Sequence, residues 1–245
     1  MTRKIGVIGV GTIATAVVRG LAADGHQITI SQRGAANAAL LRGEFETVTV
    51  ADNQSVLDHS DIVILGLMAA AAPDILADLS FRPDQQVLSL MAGMALDRVA
   101  ELVAPAAAKA IMLPYPGIAT GGSPILLQGD PALADALFGA RNRIFVLDDP
   151  DQLNAYLCAQ AVLSPVARMV SDAAKWLGTR VEDHRQGEEF LRMLVTSGLA
   201  DSTSDRLIAA LNTPGGYNQR LRIHMEDSGM GKTLVQGLDE LARGR

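Results

Sequence analysis

The sequence predicts an α/β protein in which a doubly wound, mostly parallel β-sheet is followed by an all-helical domain. Eight short apolar runs recur in the first 150 residues, and helical stretches separate most of them, which is typical of strand–helix–strand units. Beyond residues 148–151 no strand pattern follows. Aromatic residues make up only 4% of the 245, so aliphatic side chains must fill the core, as in sheets covered by helices. We therefore expect two domains, residues 1–150 and 151–245.

The predicted strands run from near the N-terminus to this boundary. They cover residues 4–8, 26–31, 46–51, 61–67, 85–90, 109–114, 123–128 and 142–147. Shorter connections join the last strands than the first, so this edge of the sheet can contain an antiparallel pair.

The second domain is predicted to be helical throughout. The helical patterns cover residues 152–179, with a kink expected at Pro165, then 187–199, 202–212 and the chain beyond a turn at 214–216. Apolar positions in the first of these helices occupy more than one stripe, so more than one face must be buried. A homodimer through these helices, or a larger assembly, is one interpretation, and a self-contained bundle is the other.

Residues 4–18, KIGVIGVGTIATAVV, admit two interpretations. A basic start followed by an apolar run is typical of a secretory signal peptide. It is also typical of the first strand, turn and helix of a dinucleotide-binding unit. Gly9, Gly11 and Ala14 favour the second interpretation, because they form a G-x-G-x-x-A pattern that interrupts the apolar run.

Each residue of this pattern has a physical reason. Gly9 permits a tight turn out of the strand, Gly11 lets a pyrophosphate approach the backbone, and Ala14 lets the new helix pack close to the strand. Thr12 and Ile13 open the helix, whose free N–H groups attract phosphate. These five residues are therefore predicted to bind a dinucleotide.

The surroundings of the pattern support this interpretation. A helix over residues 12–23, a helix stop at Asp24-Gly25 and a second strand complete a unit of about thirty residues, the length that a Rossmann crossover requires. Cleavage of a signal peptide near Ala16 would destroy that unit.

The end of the second predicted strand indicates which dinucleotide is bound. NAD-preferring sites usually have Asp or Glu there to bind the ribose 2′-hydroxyl, but this chain has Ser31, Gln32 and Arg33. Arg33 can pair with a 2′-phosphate, and Ser31 and Gln32 can donate hydrogen bonds to it. These residues predict NADP(H) as the cofactor. The alternative is that Arg33 is an ordinary solvated loop residue.

Composition excludes several other classes of function. The net charge is −6 and no block of five or more Lys or Arg is present, so we expect no nucleic-acid partner. The single Cys158 cannot form an internal disulfide, and no Cys/His cluster has metal-ligand spacing. The longest apolar run, residues 62–73, is too short to cross a bilayer. We expect a cytoplasmic protein with neither a membrane nor a metal site.

Three segments resemble the pyrroline-5-carboxylate reductase family. Residues 213–216 (TPGG) are similar to the family's Ser-Pro-Gly-Gly-Thr-Thr segment, and residues 50–65 and 89–94 (SLMAGM) resemble the regions after its third and fifth strands. The resemblance covers almost the whole chain in the family's order. It implies a Rossmann domain followed by a helical dimerisation domain, and reduction of a cyclic imine to proline with NAD(P)H.

The resemblance also implies coenzyme contacts. Asn53 would contact the ribose or 2′-phosphate of NADP, and Ala92 and Gly93 would lie beside the nicotinamide. Leu67 and Met68 would border the coenzyme, although the family usually has Val-Lys-Pro after its fourth strand and this chain has Leu67, Met68 and Ala69.

The implied substrate site departs from the family pattern. The family's Thr-Thr after Pro-Gly-Gly, whose second member is implicated in bonding the substrate ring nitrogen, is replaced by Tyr217 and Asn218. An asparagine can still donate or accept a hydrogen bond. The family's Met-Pro-Asn-Thr-Pro segment is shortened to residues 113–116 (LPYP). The implied catalytic residues are Asn218 and Tyr217, and the implied substrate-binding residues are Thr213, Gly215, Gly216 and Asn218.

The predicted function is NADP(H)-dependent reduction of 1-pyrroline-5-carboxylate to L-proline, in proline biosynthesis. Hydride transfer to a C=N carbon requires alignment more than it requires a protein acid or base. A carbonyl substrate would require a proton donor, and Tyr115 or Tyr217 could supply the proton. Two alternatives remain: a reductase of another imine or small carbonyl on the same scaffold, and a non-catalytic NADP-binding dimer.

Overall fold

The computed structural model describes residues 2–244 and contains an eight-stranded sheet. Each strand begins and ends within two residues of its predicted bounds. The strands are β1 (Lys4–Ile8), β2 (Gln27–Ser31), β3 (Val48–Ala51), β4 (Ile62–Leu65), β5 (Gln86–Ser89), β6 (Ala107–Pro114), β7 (Pro124–Gly129) and β8 (Arg143–Val146).

The strand order is β3-β2-β1-β4-β5-β6-β7-β8. Strands β1 to β6 are parallel, β7 runs antiparallel to β6, and β8 runs parallel to β7. The predicted doubly wound, mostly parallel sheet is therefore confirmed. The chain moves outward in one direction from β1 to β3 and in the other from β4 onward. In open α/β sheets the crevice at such a reversal, outside the carboxyl ends of the strands, is where ligands bind.

The helices of this region pack their apolar faces on the sheet. Val17 and Leu21, which α1 contributes, are 0% exposed and belong to the same core cluster as Ile5 of β1 and Ile30 of β2. The helices are α1 (Thr12–Ala22), α2 (Ala35–Glu44), α3 (Asn53–Asp58), α4 (Ala72–Leu76), α5 (Leu96–Val103) and α6 (Ala132–Ala134). The shorter turns are 3-10 at Ala69–Ala71 and Pro116–Ala119, and π-helical at Asp135–Gly139.

Three of the central strands end at one level on the carboxyl edge of the sheet. Ile8 pairs with Leu65, Leu65 with Ser89, and Ser89 with Ile111. Strands β1, β4 and β5 end there, but β6 continues to Pro114 in register with β7. The loops that follow β1, β4 and β5 thus begin side by side, next to a projecting β6–β7 ribbon.

The chain divides into two compact units between Leu153 and Asn154. The boundary predicted at residue 150 lies at the start of the helix α7 (Pro150–Ala159). The remaining helices are α8 (Leu163–Gly178), α9 (His184–Asp201), α10 (Ser204–Ala210), α11 (Tyr217–Asp227) and α12 (Met230–Ala242).

The prediction of one continuous helix over residues 152–179 is wrong in one respect. A 3-10 turn at Gln160–Val162 separates α7 from α8, where a kink at Pro165 was expected. Proline has no N–H, and its ring clashes with the carbonyl four residues earlier, which here belongs to Ala161. The regular hydrogen-bond pattern is therefore interrupted in the turn before the proline.

The second unit buries almost none of its own apolar side chains. Of its described residues, 154–244, only Gly187 is buried. Trp176, Phe190, Met193 and Leu221 are each more than half exposed. An apolar groove of about 860 Å³ lies between α8, α11 and α12. Helices with apolar residues on several faces normally bury those faces against other helices.

Candidate functional site

The chain turns out of β1 at Gly9, whose φ of +89° lies in the left-handed region. A Cβ at this position would also lie 2.5 Å from the carbonyl oxygen of Gly66, in the loop after β4. Backbone conformation and available space therefore both require glycine here.

The turn also requires glycine at position 66, which the sequence analysis missed. Its amide donates a hydrogen bond to the Ile8 carbonyl at 2.8 Å, which extends the β1–β4 pairing. A side chain on Gly66 would collide with the Gly9 carbonyl oxygen and would lie 2.8 Å from Ala14 Cβ. The available signal was a glycine directly after an apolar strand (ILG, residues 64–66), since glycine at such a place often marks close backbone approach.

Gly11 leaves open space in front of α1. Gly11 is exposed, and no heavy atom lies within 4 Å of the position where its Cβ would be. Thr15 N donates to Gly11 O at 2.9 Å, so the amides of Thr12, Ile13 and Ala14 precede the first intrahelical hydrogen bond. A helix N-terminus with unobstructed amides is suited to bind a phosphate group.

Ser31 supports the glycine turn from inside the protein. Its side chain is 0% exposed, and its hydroxyl oxygen accepts a hydrogen bond from Gly9 N at 2.8 Å. The expectation that Ser31 donates to a 2′-phosphate is therefore corrected, because a fully buried hydroxyl does not reach a phosphate at the protein surface. The residue instead fixes the conformation of the turn.

Gln32 and Arg33 are exposed at the carboxyl end of β2. Their loop is fastened to the glycine turn through Val10, whose amide donates to Arg33 O at 3.3 Å and whose carbonyl accepts from Asn37 Nδ2 at 2.9 Å. Gly34, with a φ of +91°, lies so close to Val10 that a Cβ would be 2.5 Å from the Val10 carbonyl oxygen. The Arg33 guanidinium thus belongs to a loop that is held directly against the glycine turn.

Asn53 is the first residue of α3, at the carboxyl end of β3. Asp52 caps this helix, because its carboxylate accepts hydrogen bonds from Ser55 N at 2.9 Å and from Ser55 Oγ at 2.7 Å. These bonds, that of the backbone amide first, lower the pKa of Asp52. Asn53 is half-buried, and the strand order places it on the same side of the glycine turn as Arg33.

On the other side of the glycine turn lie the loops after β4 and β5. Leu67 is only 8% exposed and packs beneath the turn, whereas Met68 is 78% exposed. Ala92 and Gly93 are exposed, and Gly93 has a φ of +81°. Of the residues predicted here, Met68, Ala92 and Gly93 offer surface to a ligand, while Leu67 contributes packing.

Tyr115 follows the projecting strand β6 and is half-buried. Burial raises the pKa of its phenol above the ordinary value. The hydroxyl therefore stays protonated around neutral pH and can donate a hydrogen bond. The sequence analysis considered Tyr115 only as a proton donor to a carbonyl substrate, and not as a residue of the imine site.

The Pro-Gly-Gly segment of the second unit forms a turn that leads into α11. Gly215 has a φ of +73°, and its amide donates to Gln219 Oε1 at 2.8 Å. The Gly216 amide donates to Thr213 O at 2.9 Å. The amides of Gly215 and Gly216 are thus used within the turn.

Tyr217 and Asn218 are the first two residues of α11, and both are exposed, Tyr217 at 90%. Arg220 N donates to Gly216 O at 3.0 Å, so the amides of Tyr217, Asn218 and Gln219 precede the first intrahelical hydrogen bond. These three amides, rather than those of the glycines, are the donors that a carboxylate could use.

Within residues 2–244, no group of three or more His, Cys, Asp or Glu side chains is arranged to hold a metal ion. None of the helices in this range combines the length and the apolar character that a membrane span requires.

The N-terminal part of the chain, somewhat more than a third of it, is similar in sequence to known oxidoreductases. Residues 4–93, from β1 to the loop after β5, match the family described as NADP oxidoreductase coenzyme F420-dependent. A pyrroline-5-carboxylate reductase of Pseudomonas aeruginosa is 32% identical over 98 residues, which are 38% of this chain and 36% of that protein. The aligned segment thus spans about a third of the relative's length.

Several solved structures match nearly the whole chain. The 1-pyrroline-5-carboxylate reductase of Streptococcus pyogenes has a TM-score of 0.82 at 20% identity, covering 99% of this chain and 98% of that one. The chain has the fold of the pyrroline-5-carboxylate reductases. The pyrroline carboxylate reductase of Plasmodium falciparum, solved with NADP bound, matches with a TM-score of 0.81 at 12% identity, covering 99% and 96%. The resemblance predicted from the sequence is confirmed, and so is the predicted fold class.

Proposed function

We propose that this protein is an NADP(H)-dependent oxidoreductase that reduces the C=N bond of 1-pyrroline-5-carboxylate to give L-proline. The observation that carries the proposal is the glycine turn at the switch point of the sheet, with an open α1 N-terminus on one side and Arg33 on the loop held against it. The sequence match to an NADP oxidoreductase family over this region supports the choice of cofactor.

The residues along the carboxyl edge of the sheet could bind each part of a dinucleotide. The amides at the start of α1 would bind the pyrophosphate, and Gln32, Arg33 and Asn53 would contact the adenosine half. On the other side of the turn, Met68 and the Ala92-Gly93 loop would border the nicotinamide. When bound, NADPH would supply a hydride from C4 of its reduced ring to the imine carbon, and the ring nitrogen would arrive protonated or take its proton from water. The protein then has to hold the acceptor carbon close to that position, because alignment supplies most of the rate enhancement.

The second unit would supply binding groups for the substrate. We assign the substrate carboxylate to the free amides of Tyr217, Asn218 and Gln219, where the partial positive charge of the α11 N-terminus favours an anion. The Asn218 side chain can hydrogen-bond the ring nitrogen in either its donor or its acceptor sense. Thr213 and the two glycines then form the turn that presents these amides.

A second candidate function is reduction of another imine, or of a small carbonyl compound, on the same scaffold. It is favoured by Tyr217, which is 90% exposed and much larger than the threonine that the family carries there. Tyr217 and Tyr115 also provide hydroxyl groups that a carbonyl substrate could use as proton donors. A dimeric module that binds NADP without catalysis is the remaining alternative.

A homodimer through the helical unit is part of the proposal. Residues 154–244 of the second unit expose large apolar side chains on several helices. They also line an apolar groove of about 860 Å³. Obligate homodimer interfaces have this character, resembling a domain core cut in half. A second copy offers the same helices and can cover them symmetrically. We place the dimer in the cytoplasm, where the lone Cys158 would remain a thiol.

The decisive experiment is a turnover assay on the purified protein. NADPH oxidation is followed with 1-pyrroline-5-carboxylate, with other cyclic imines and with small ketones. Turnover that is fastest with 1-pyrroline-5-carboxylate is the expected result. Turnover only with another imine or a ketone supports the second candidate, and NADPH binding without turnover of any compound supports the non-catalytic module.

Substitution of Arg33 should change the preference between coenzymes. In Arg33→Gln the charged contact to the 2′-phosphate is lost, so we expect the Kd for NADPH to rise roughly 10- to 100-fold. The Kd for NADH should change little, because NADH has no 2′-phosphate. Calorimetry with both coenzymes measures this, with Arg98→Gln on α5 as a matched control that should leave both values unchanged. An equal loss for NADPH and NADH would contradict the assigned contact.

The dimer proposal predicts the mass in solution. Sedimentation should give about twice 25.8 kDa, or a multiple of that dimer. Leu234→Glu places a charge in the apolar groove and should shift the equilibrium strongly toward the monomer, with loss of helical circular dichroism. Gln236→Glu on the same helix lies outside the groove lining and should remain dimeric. A wild-type protein that sediments as a folded monomer would refute the proposal.

A further inference from the structure

The β6–β7 ribbon projects beyond the edge of the sheet, beside the loops after β4 and β5. Strand β5 ends at Ser89, which pairs with Ile111, whereas β6 runs on to Pro114. Tyr115 therefore lies four residues beyond the level at which the neighbouring strands end. At about 3.3 Å per residue this is a rise of roughly 13 Å above the edge of the sheet. Strands β1, β4 and β5 end at the lower level, whereas β6 and its partner β7 continue beyond it.

The backbone conformation of Tyr115, at the end of this ribbon, is fixed by the residues around it. Pro114 and Pro116 flank it, and a residue before proline is confined to extended backbone, as the Tyr115 ψ of 165° shows. Its carbonyl accepts a hydrogen bond from Ile118 N at 2.9 Å, which closes a short turn. Ile118 itself is only 1% exposed and belongs to the main core cluster.

The same turn packs directly on the phosphate-binding helix. Gly20 in α1 lies so close to it that a Cβ there would be 2.9 Å from the Ile118 carbonyl oxygen. Arg141 binds the same end of α1, because its Nη2 donates to Gly20 O at 2.6 Å and to Asp24 Oδ2 at 2.7 Å. The turn that carries Tyr115 thus lies in direct contact with the helix that carries the glycine motif.

The phenol of Tyr115 is available for a ligand. None of the hydrogen bonds among residues 2–244 involves its hydroxyl, and because no buried side-chain oxygen in this range lacks a partner, solvent reaches this hydroxyl. A group with a defined extended backbone, an unused donor and partial access to solvent is arranged to meet a ligand at the sheet edge.

From this geometry we infer that Tyr115 is a substrate-binding residue, whose hydroxyl donates a hydrogen bond to an acceptor on the imine substrate. The inference rests on the proposed function and adds a specificity-determining residue to it. The acceptor is either the substrate carboxylate or the lone pair of a neutral ring nitrogen, since both accept from a neutral phenol.

Tyr115→Phe tests this directly, because it removes the hydroxyl and keeps the ring. We expect kcat/KM for 1-pyrroline-5-carboxylate to fall about 10- to 100-fold, while the Kd for NADPH changes less than about twofold. Tyr156→Phe removes an exposed phenol from α7 and should leave both quantities unchanged. Circular dichroism and Tm are measured on both variants.

A second substrate identifies the acceptor. If the acceptor is the carboxylate, the loss in Tyr115→Phe should be seen with 1-pyrroline-5-carboxylate and not with 1-pyrroline, which lacks that group. If the acceptor is the ring nitrogen, both substrates should lose equally. A kcat/KM within twofold of wild type on both substrates would overturn the inference. Absence of turnover in the unchanged protein would instead overturn the proposed function, and this assignment with it.

Discussion

Gly11→Asp is expected to raise the Kd for NADPH at least about 100-fold without changing stability. The φ of Gly11, −81°, suits any residue, and no heavy atom lies within 4 Å of its Cβ position, so the fold can accommodate the new side chain. The aspartate would occupy the space in front of the α1 N-terminus and place a negative charge against the pyrophosphate. Calorimetric titration with NADPH, together with thermal unfolding, measures both quantities.

Gly43→Asp is the matched control for this prediction. It makes the same change of charge on α2, where again no atom lies within 4 Å of the Cβ position. It should lower the affinity for NADPH only slightly, through long-range repulsion that salt screens. If Gly11→Asp bound NADPH as tightly as wild type, the glycine turn would not be the phosphate-binding site.

Gly66→Ala is expected to reduce stability and coenzyme affinity together. The new Cβ would collide with the Gly9 carbonyl oxygen and meet Ala14 Cβ at 2.8 Å, and neither neighbour is the flexible end of a long side chain. Overpacking of this kind costs about 3 kcal/mol, which corresponds to a Tm lower by roughly 6–12 °C in a chain of this length. The glycine turn must also shift, so the Kd for NADPH should rise at least about tenfold.

Gly43→Ala separates this effect from a general cost of replacing glycine. It adds the same methyl group on α2 with no neighbour within 4 Å, and a helical Gly→Ala change is neutral or slightly stabilising. An unchanged Tm in Gly66→Ala would mean that the loops after β1 and β4 are not packed as tightly as their geometry indicates.

Local sequence patterns were sufficient for most of the Rossmann unit. Strand β1 and the start of α1 were predicted at their observed residues, because an apolar run followed by Gly9 and Gly11 has few structural solutions. The antiparallel β6–β7 pair was anticipated from short connections alone. The break between α7 and α8 was misplaced by a few residues, because the periodicity of the apolar residues continues through it while the hydrogen-bond pattern does not.

The roles of individual residues at the edge of the sheet were harder to predict. Ser31 was assigned to the coenzyme because it follows β2, yet its hydroxyl points inward to Gly9 N. Gly66 was overlooked because its importance comes from a contact with Gly9, 57 positions earlier in the sequence. Tyr115 gained significance only once the register of β5, β6 and β7 showed that it stands above the neighbouring strand ends.

The sequence by itself determined the fold class, the position of the glycine turn and the change from strands to helices near residue 150, because periodicity and turn chemistry are properties of neighbouring residues. The tertiary structure alone decided which side chains are buried, which amides remain free at α1 and α11, and which glycines touch one another. Burial and the contacts between glycines depend on segments that are distant along the chain, so they require a defined strand order and register before any distance can be known. The free amides depend on which hydrogen bonds the neighbouring turn makes.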